Sequence, residues 1–333
     1  VRIRKNEPNH KEFNAFFLND DRIKNLTSYE TFPNKETKNP VVRVFVMTYN
    51  NIGFARHNLN GILMQKTNFP FEICIQDDCS TDGTSDIVRE YASKYPNIIG
   101  NIHPENLWGK IAFRNKFWEN TKEHNCKYLA FCDGDDYWTD PYKLQIQYDF
   151  LENNGDFALC SGGWIVNNEF DATQQMCGGG KIVGFEYDFE KGHYPNYWVK
   201  SFTRMCRTDA IPEMSTGLKF KYFRDVHLAY FILTKGKGYF FSRLFGVYNK
   251  HQGGIYGGIA PDRQMSVDYR VYEELYRETR NKQVAAVFVP LILGQMLLLA
   301  ENKEKQIAFY KEIIESFPEL REEVNEIIFK GKQ

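Results

Sequence analysis

Three carboxylates fall within four residues at Asp133-Gly134-Asp135-Asp136, between Phe131-Cys132 and Tyr137-Trp138. Like charges this close repel, so something must compensate them. A divalent cation does so: Mg2+ and Mn2+ take carboxylate oxygens and leave positions open for substrate phosphates. The competing reading is a solvated acidic turn that caps the following helix. Asp140, directly before Pro141, is better placed as that cap, which weakens the competing reading. A second acidic cluster is Asp77-Asp78-Cys79-Ser80-Thr81-Asp82-Gly83-Thr84. A carboxylate such as Asp78 at a strand end can accept the N–H of a nucleobase or the hydroxyls of a ribose. The plainer reading is an Asp-rich turn, and Asp82-Gly83 serves turn chemistry in either case. The third cluster is Met47-Thr48-Tyr49-Asn50, where the Tyr49 ring can stack on a base.

All three clusters follow apolar runs that read as strands: Val41–Met47, Phe71–Gln76 and Tyr128–Cys132. Between them lie helical patterns over Arg56–Met64, around Ile87–Tyr95 and over Ile111–Glu123, with a short strand at Ile98–His103. Strands alternating with helices imply βαβ units and a mostly parallel central sheet flanked by helices, an α/β Rossmann-like architecture. In such a sheet ligands bind at the carboxyl ends of the strands, where the clusters fall. Asp140 is expected to cap a helix that starts at Pro141. Phe157–Val166 reads as a strand pair interrupted at Gly162-Gly163, Gly178–Gly180 as a flexible spot, Val226–Lys235 as a helix, Tyr239–Val247 as a strand and His251–Gly258 as a Gly-rich loop. From Met265 onward the pattern is helical. The expected division is an N-terminal extension over 1–40 with a short helix near Phe13–Phe17, an α/β domain over 41–258 and a C-terminal helical region over 259–333. Val284–Ala300 carries no charge over 17 residues but contains Pro290 and Gln295. A buried or interface helix, a membrane-surface helix and a membrane span all remain open for it.

The formal net charge of −1 gives no electrostatic case for nucleic acid. The seven cysteines are odd in number and form no Cys-x-x-Cys pair, which argues against a zinc ribbon or a disulfide framework and for a reducing cytosol. No signal-peptide pattern is visible in the first residues.

Taken together, the three clusters resemble in order and spacing the motifs of the family 2 glycosyltransferases, which have the GT-A fold. The resemblance covers roughly residues 41–258, and the Asp133–Pro141 stretch is similar to bacterial enzymes of O-antigen and capsule assembly. The resemblance implies that Thr48, Tyr49 and Asn50 line the donor site, with Tyr49 stacked on uracil, and that Asp78 holds the base. It implies that Asp135 and Asp136 hold ribose and a Mn2+ or Mg2+ ion, with Asp133 and Trp138 close by. Asn106-Leu107-Trp108-Gly109 and Ala112-Phe113-Arg114-Asn115 are similar to a family stretch whose arginine lies near the diphosphate. The spacing departs by one residue at two places, and a surface arginine is the other reading of Arg114. Phe223-Arg224-Asp225-Val226-His227-Leu228 looks like the segment in which an aspartate opens a helix as general base; a helix-capping Asp225 is the alternative. Val247-Tyr248-Asn249-Lys250-His251 looks like the family's Tyr-Arg-x-His stretch with the arginine replaced, and His251 is left as a candidate metal or diphosphate contact.

The activity so implied is inverting, metal-dependent transfer of a sugar from a nucleotide-sugar, a UDP-sugar foremost, to a glycan or lipid-linked oligosaccharide. It would take place in the cytoplasm, with peripheral membrane contact or self-association through the C-terminal helices. Two rivals stand beside it. A sugar-phosphate nucleotidyltransferase would carry a Gly-rich basic loop after the first strand, and Asn50-Asn51-Ile52-Gly53 is not one. A non-catalytic carbohydrate-binding protein on the same fold would have little use for the intact acidic set.

Overall fold

A computed structural model describes residues 39–122, 125–178, 184–188 and 200–330. The first part alternates as β1 (Val42–Thr48), α1 (Ile52–Leu63), β2 (Phe71–Asp77), α2 (Thr84–Lys94), β3 (Ile98–Ile102), α3 (Ile111–Lys122) and β4 (Tyr128–Phe131). β1 lies between β2 and β4 and is parallel to both, and β3 runs parallel to β2. β1 and β2 are buried along almost their whole length, and strands covered on both faces read as continuous apolar runs without alternation. The chain builds outward from β1 to β3, then crosses back to β4 on the other side of β1. That reversal opens a crevice at the carboxyl ends of β1, β2 and β4.

The second part contains β5 (Tyr137–Trp138), α4 (Lys143–Asn153), β6 (Phe157–Asn168), β7 (Thr173–Cys177), β8 (Phe185–Tyr187), β9 (Met205–Arg207), the one-turn α5 (Met214–Gly217), α6 (Asp225–Leu233) and β10 (Lys237–Lys250). Among the described residues the sheet has ten strands in the order β3-β2-β1-β4-β9-β6-β10-β5, with β7 beside β6 and β8 beside β10. β9 runs antiparallel to both β4 and β6, and β6 is parallel to β10. The parallel character is therefore concentrated in the first four strands and in the β6–β10 pair.

Three local expectations change. Phe157–Asn168 is a single strand that runs through Gly162-Gly163. A Cβ on Gly162 would lie 2.5 Å from the Phe245 ring, so the glycine admits that ring against the strand and does not break it. The helix after Asp140 starts at Lys143, with Tyr142 at its cap position. Asp140 instead accepts the Tyr142 N–H at 3.0 Å and pairs with Arg243, whose Nη2 donates to Oδ1 at 3.0 Å. The α1 helix begins at Ile52, earlier than its apolar spacing indicates, because Asp82 accepts the Ile52 N–H at 2.9 Å from across the crevice.

Beyond β10 the chain is helical: α7 (Pro261–Thr279), α8 (Lys282–Leu298), α9 (Lys303–Ser316) and α10 (Arg321–Lys330). α8 carries the uncharged segment and buries Val284, Phe288, Val289, Ile292 and Met296. Phe288 packs between Tyr276 of α7 and Phe317, at ring distances of 5.7 and 5.3 Å. Among the described residues no helix is long and apolar enough to cross a membrane. The expected helix near Phe13–Phe17, and Gly179 and Gly180 of the expected flexible spot, lie outside the described residues.

Candidate active site

The acidic run leaves β4 but stays on β1. Cys132 N–H donates to Phe45 O at 3.0 Å and Gly134 N–H to Met47 O at 2.7 Å. Gly134 has to be glycine, since a Cβ there would stand 2.5 Å from Thr48 Cβ and Oγ1. The turn is closed by Asp136 N–H on Asp133 O at 2.9 Å. Asn58 of α1 clamps both ends, donating through Nδ2 to Asp133 O and Asp136 O at 2.8 Å each. From β10, Asn249 donates its N–H to Asp136 Oδ1 at 3.0 Å and its amide to Asp135 O at 2.6 Å.

These bonds give the three carboxylates different fates. Asp136 is buried against β10; burial, with the charges of Asp135 and Asp133, lifts its carboxyl well above the usual range. Asp133 is pushed up to about 7 by burial and by the Asp135 and Asp225 charges, against Lys200 and Arg204. Asp135 keeps a quarter of its side chain exposed, and its Oδ2 lies 3.3 Å from His251 Nε2. That contact raises the His251 pKa, with burial opposing. His251 stands at the start of the loop after β10, its ring 4.6 Å from Phe54.

The chemistry of the donor set decides what cation fits. Asp135 and His251 offer one carboxylate and one imidazole from opposite sides of the crevice. Among the described residues no three His, Cys, Asp or Glu side chains converge into a cage. Octahedral cations in phosphate chemistry are commonly held by one or two protein ligands plus water and substrate oxygens. The pair therefore fits a divalent cation held by few protein ligands, with its remaining positions open to water and substrate oxygens.

Asp225 is the first residue of α6, and Arg224 occupies the cap position. The capping hydrogen bond comes from elsewhere: Arg224 N–H donates to His227 Nδ1 at 3.2 Å. Burial drives His227 down to about 3, so its ring stays neutral between Phe220 and Phe223. Asp225 Oδ1 accepts Val226 N–H at 3.0 Å and the side chain is exposed. Its charge is felt by Asp133 and Tyr248, so the carboxylate lies within the field of the acidic turn.

Two cations that the sequence patterns passed over belong to this region. Arg204 is buried over the Phe131 ring at 4.6 Å, and its Nη1 donates to Asp225 O at 3.5 Å. Lys200 places Nζ 3.7 Å above the Tyr248 ring and offsets Asp133 and Asp136. Neither falls in a motif. Asn58 left a fainter signal, as a polar residue on the apolar face formed by Ala55, Leu59 and Ile62.

The remaining predicted residues divide. Tyr49 is 44% exposed at the end of β1, so its ring is open to a ligand. Asn50 adopts a left-handed conformation, φ 52°, which asparagine tolerates. It ties the first cluster to the second, with its N–H on Ser80 Oγ and its Oδ1 accepting Thr81 N–H, both at 2.8 Å. Thr48 is buried and its Oγ1 accepts from Asn51 Nδ2 at 3.2 Å. Asp77 is buried and accepts from the hydroxyls of Ser80 and Ser85. Asp78 accepts the backbone N–H of Leu107 at 2.7 Å and of Trp108 at 3.0 Å, and so fastens the loop after β3 to the end of β2. Trp138 is not in the crevice: it is fully buried, donates Nε1–H to Phe202 O at 2.7 Å and lies under Lys143. A ring enclosed on all sides has no face for a nucleotide. Arg114 lies in α3, and its side chain falls outside the described residues.

Comparison with known proteins gives the family and the fold type. The chain is 38% identical over 114 residues to the uncharacterized protein Rv1520 of Mycobacterium tuberculosis, across 34% of this chain and 32% of the relative. It is 34% identical over 103 residues to the dTDP-rhamnosyl transferase RfbG of Shigella flexneri, across 30% of this chain and 34% of the relative. The chain thus matches about a third of the length of these curated relatives. Among solved structures, S. aureus TarS 1–349 in complex with UDP-GlcNAc superposes with a TM-score of 0.60 at 20% identity, covering 85% of this chain and 83% of that one. The mannosyltransferase PcManGT of Pyrobaculum calidifontis, in complex with GDP-Man and Mn2+, gives 0.51 at 16% identity, covering 91% and 84%. These likenesses identify the fold as the GT-A type. The family model described as glycosyl transferase family 2 matches residues 43–210, half of the chain, and the chain belongs to that family.

Proposed function

We propose that this chain transfers a sugar from a UDP-sugar to a hydroxyl of a glycan or lipid-linked oligosaccharide, with inversion at the anomeric carbon. The observation that carries the reading is the exposed Asp225 carboxylate at the start of α6, close enough to the acidic turn for its charge to be felt by Asp133. The α/β unit over 41–258 forms the catalytic domain and the helices over 259–333 brace it. Tyr49 stacks on the uracil. Asp78 holds the loop after β3 against the base site, and Thr48 and Asn50 fix the walls beside it. Asp133 and Asp135 receive the ribose and the diphosphate side of the donor, and Arg114 is assigned to the diphosphate; Asp136, expected as a metal ligand, is buried with Asn249 N–H on its Oδ1 and braces the turn instead.

Asp225 accepts the proton of the acceptor hydroxyl. The acceptor oxygen bonds to the anomeric carbon on the face opposite the diphosphate, the bond from carbon to the diphosphate oxygen breaks, and UDP departs with that electron pair. Asp135 and His251 would hold Mn2+, which supplies positive charge where the leaving diphosphate gains negative charge. Lys200 adds a second positive charge on the same side. The acceptor is placed at the cytoplasmic face of a membrane by the kind of acceptor proposed.

Family membership sets the nucleotidyltransferase reading aside; turnover separates the enzyme from a binding protein. A thermal-shift screen of nucleotide-sugars with Mn2+ tests the donor. A UDP-sugar should raise the melting temperature, since a ligand at about 100 times its Kd contributes about 2.7 kcal/mol. If other nucleotides stabilise the protein and uridine ones do not, the donor assignment is wrong.

A further inference from the structure

The loop from His251 to α7 contains Gly253, Gly254, Gly257 and Gly258. Glycines leave a chain many conformations, yet this loop delivers His251 to Asp135. Inside it, Gly254 N–H donates to His251 O at 3.1 Å and Gly258 N–H to Gly254 O at 2.9 Å. A Cβ on Gly258 would lie 2.4 Å from Gln252 O, so the loop is folded tightly on itself. Hydrogen bonds to α7 fasten it to the rest of the protein. Tyr256 Oη donates to Asp268 Oδ2 at 2.7 Å. Gln264 donates Nε2–H to Tyr256 O at 2.9 Å and to Ile259 O at 3.1 Å. The Asp268 carboxyl also lies in the field of Arg224 and Asp225 at the start of α6.

We infer that Tyr256, Asp268 and Gln264 are positioning residues that set the cation affinity of the Asp135–His251 pair by holding the glycine loop in its binding shape. The inference rests on the reading of that pair as cation ligands. The physical ground is preorganisation. A loop already ordered by its own hydrogen bonds loses little freedom when a ligand engages it, whereas an untethered glycine loop must be ordered at that moment. The C-terminal helices would then belong to the donor site without touching the donor.

The test is a Mn2+ titration of the full chain with UDP present, followed by electron paramagnetic resonance of the free ion, with melting temperatures recorded alongside. Tyr256→Phe removes one oxygen and keeps the ring. It should weaken Mn2+ binding by about tenfold, the scale of one hydrogen bond to a charged group. Asp268→Ala should weaken it to the same extent, and the double variant no further, since both remove the same bond. Asp268→Asn retains an acceptor oxygen without the charge and should bind between the parent and Asp268→Ala. Gln264→Ala should also weaken binding. If the parent binds Mn2+ and Tyr256→Phe, Asp268→Ala and Gln264→Ala bind it equally well, the positioning role is refuted while the cation site stands. If the parent binds no Mn2+, the cation reading itself fails, and the inference with it.

Discussion

Replacing Asp225 by asparagine separates a base from a helix cap. The amide keeps the shape of the carboxylate and an oxygen to accept Val226 N–H, now at 3.0 Å. The start of α6 is capped by His227, not by Asp225, so no cap is lost. Two electrostatic changes oppose each other. A negative charge at a helix N-terminus is worth about 0.3–1 kcal/mol, and its loss is offset by relief of repulsion with Asp133. The stability change should therefore stay within about 0.5 kcal/mol, and donor affinity should hold. Proton-accepting strength is lost altogether. General-base catalysis is worth about 10²–10⁴-fold, or roughly 3–5 kcal/mol of barrier, so kcat should fall by that factor with the donor Kd unchanged. The assay is UDP release at saturating donor and acceptor, with calorimetry of donor binding beside it. Asp135→Asn should lose both turnover and affinity. Parental turnover in Asp225→Asn would refute the argument.

Three further outcomes are expected. Uridine nucleotide binding should require a divalent cation; calorimetry with and without EDTA checks this, and equal affinity in both would remove the cation from the account. Asp78→Ala should lower the melting temperature and weaken UDP binding together, because it leaves the Leu107 and Trp108 N–H groups without their acceptor at about 1–3 kcal/mol for a buried group; a changed affinity at unchanged stability would instead indicate direct base contact alone. Lys143, buried against Trp138 with burial holding its amine down to about 7, binds a proton in the unfolded chain between that pH and roughly 10.4 that the folded chain does not; the parent should gain stability as pH rises through this window, Lys143→Met should lack that slope and melt higher near pH 7, and parallel pH profiles of melting temperature would contradict the assignment.

The crevice was legible in the sequence because each of its clusters follows a long apolar strand, and a sheet whose strands are wholly buried announces itself without help from tertiary contacts. Asp135 stands in the acidic run that residue type alone picks out, whereas Asp225 and His251 came only from resemblance to the family's motifs. What stayed hidden depended on distant partners. The early start of α1 needs Asp82, thirty positions away in the chain. The two- and three-residue strands β5 and β9 exist only through their pairing with β10, β4 and β6. Trp138 stands beside the acidic run in sequence, but β5 turns its side chain inward, under Lys143 and onto Phe202 O. Lys200 and Arg204 reach the acidic turn from a stretch with no periodicity to read.

The most direct test of the account is the anomeric configuration of the transfer product, followed by NMR from an α-linked UDP-sugar donor in the presence of Mn2+. Single displacement gives a β-linked product formed in step with UDP. An α-linked product would show retention and contradict the single displacement assigned to Asp225.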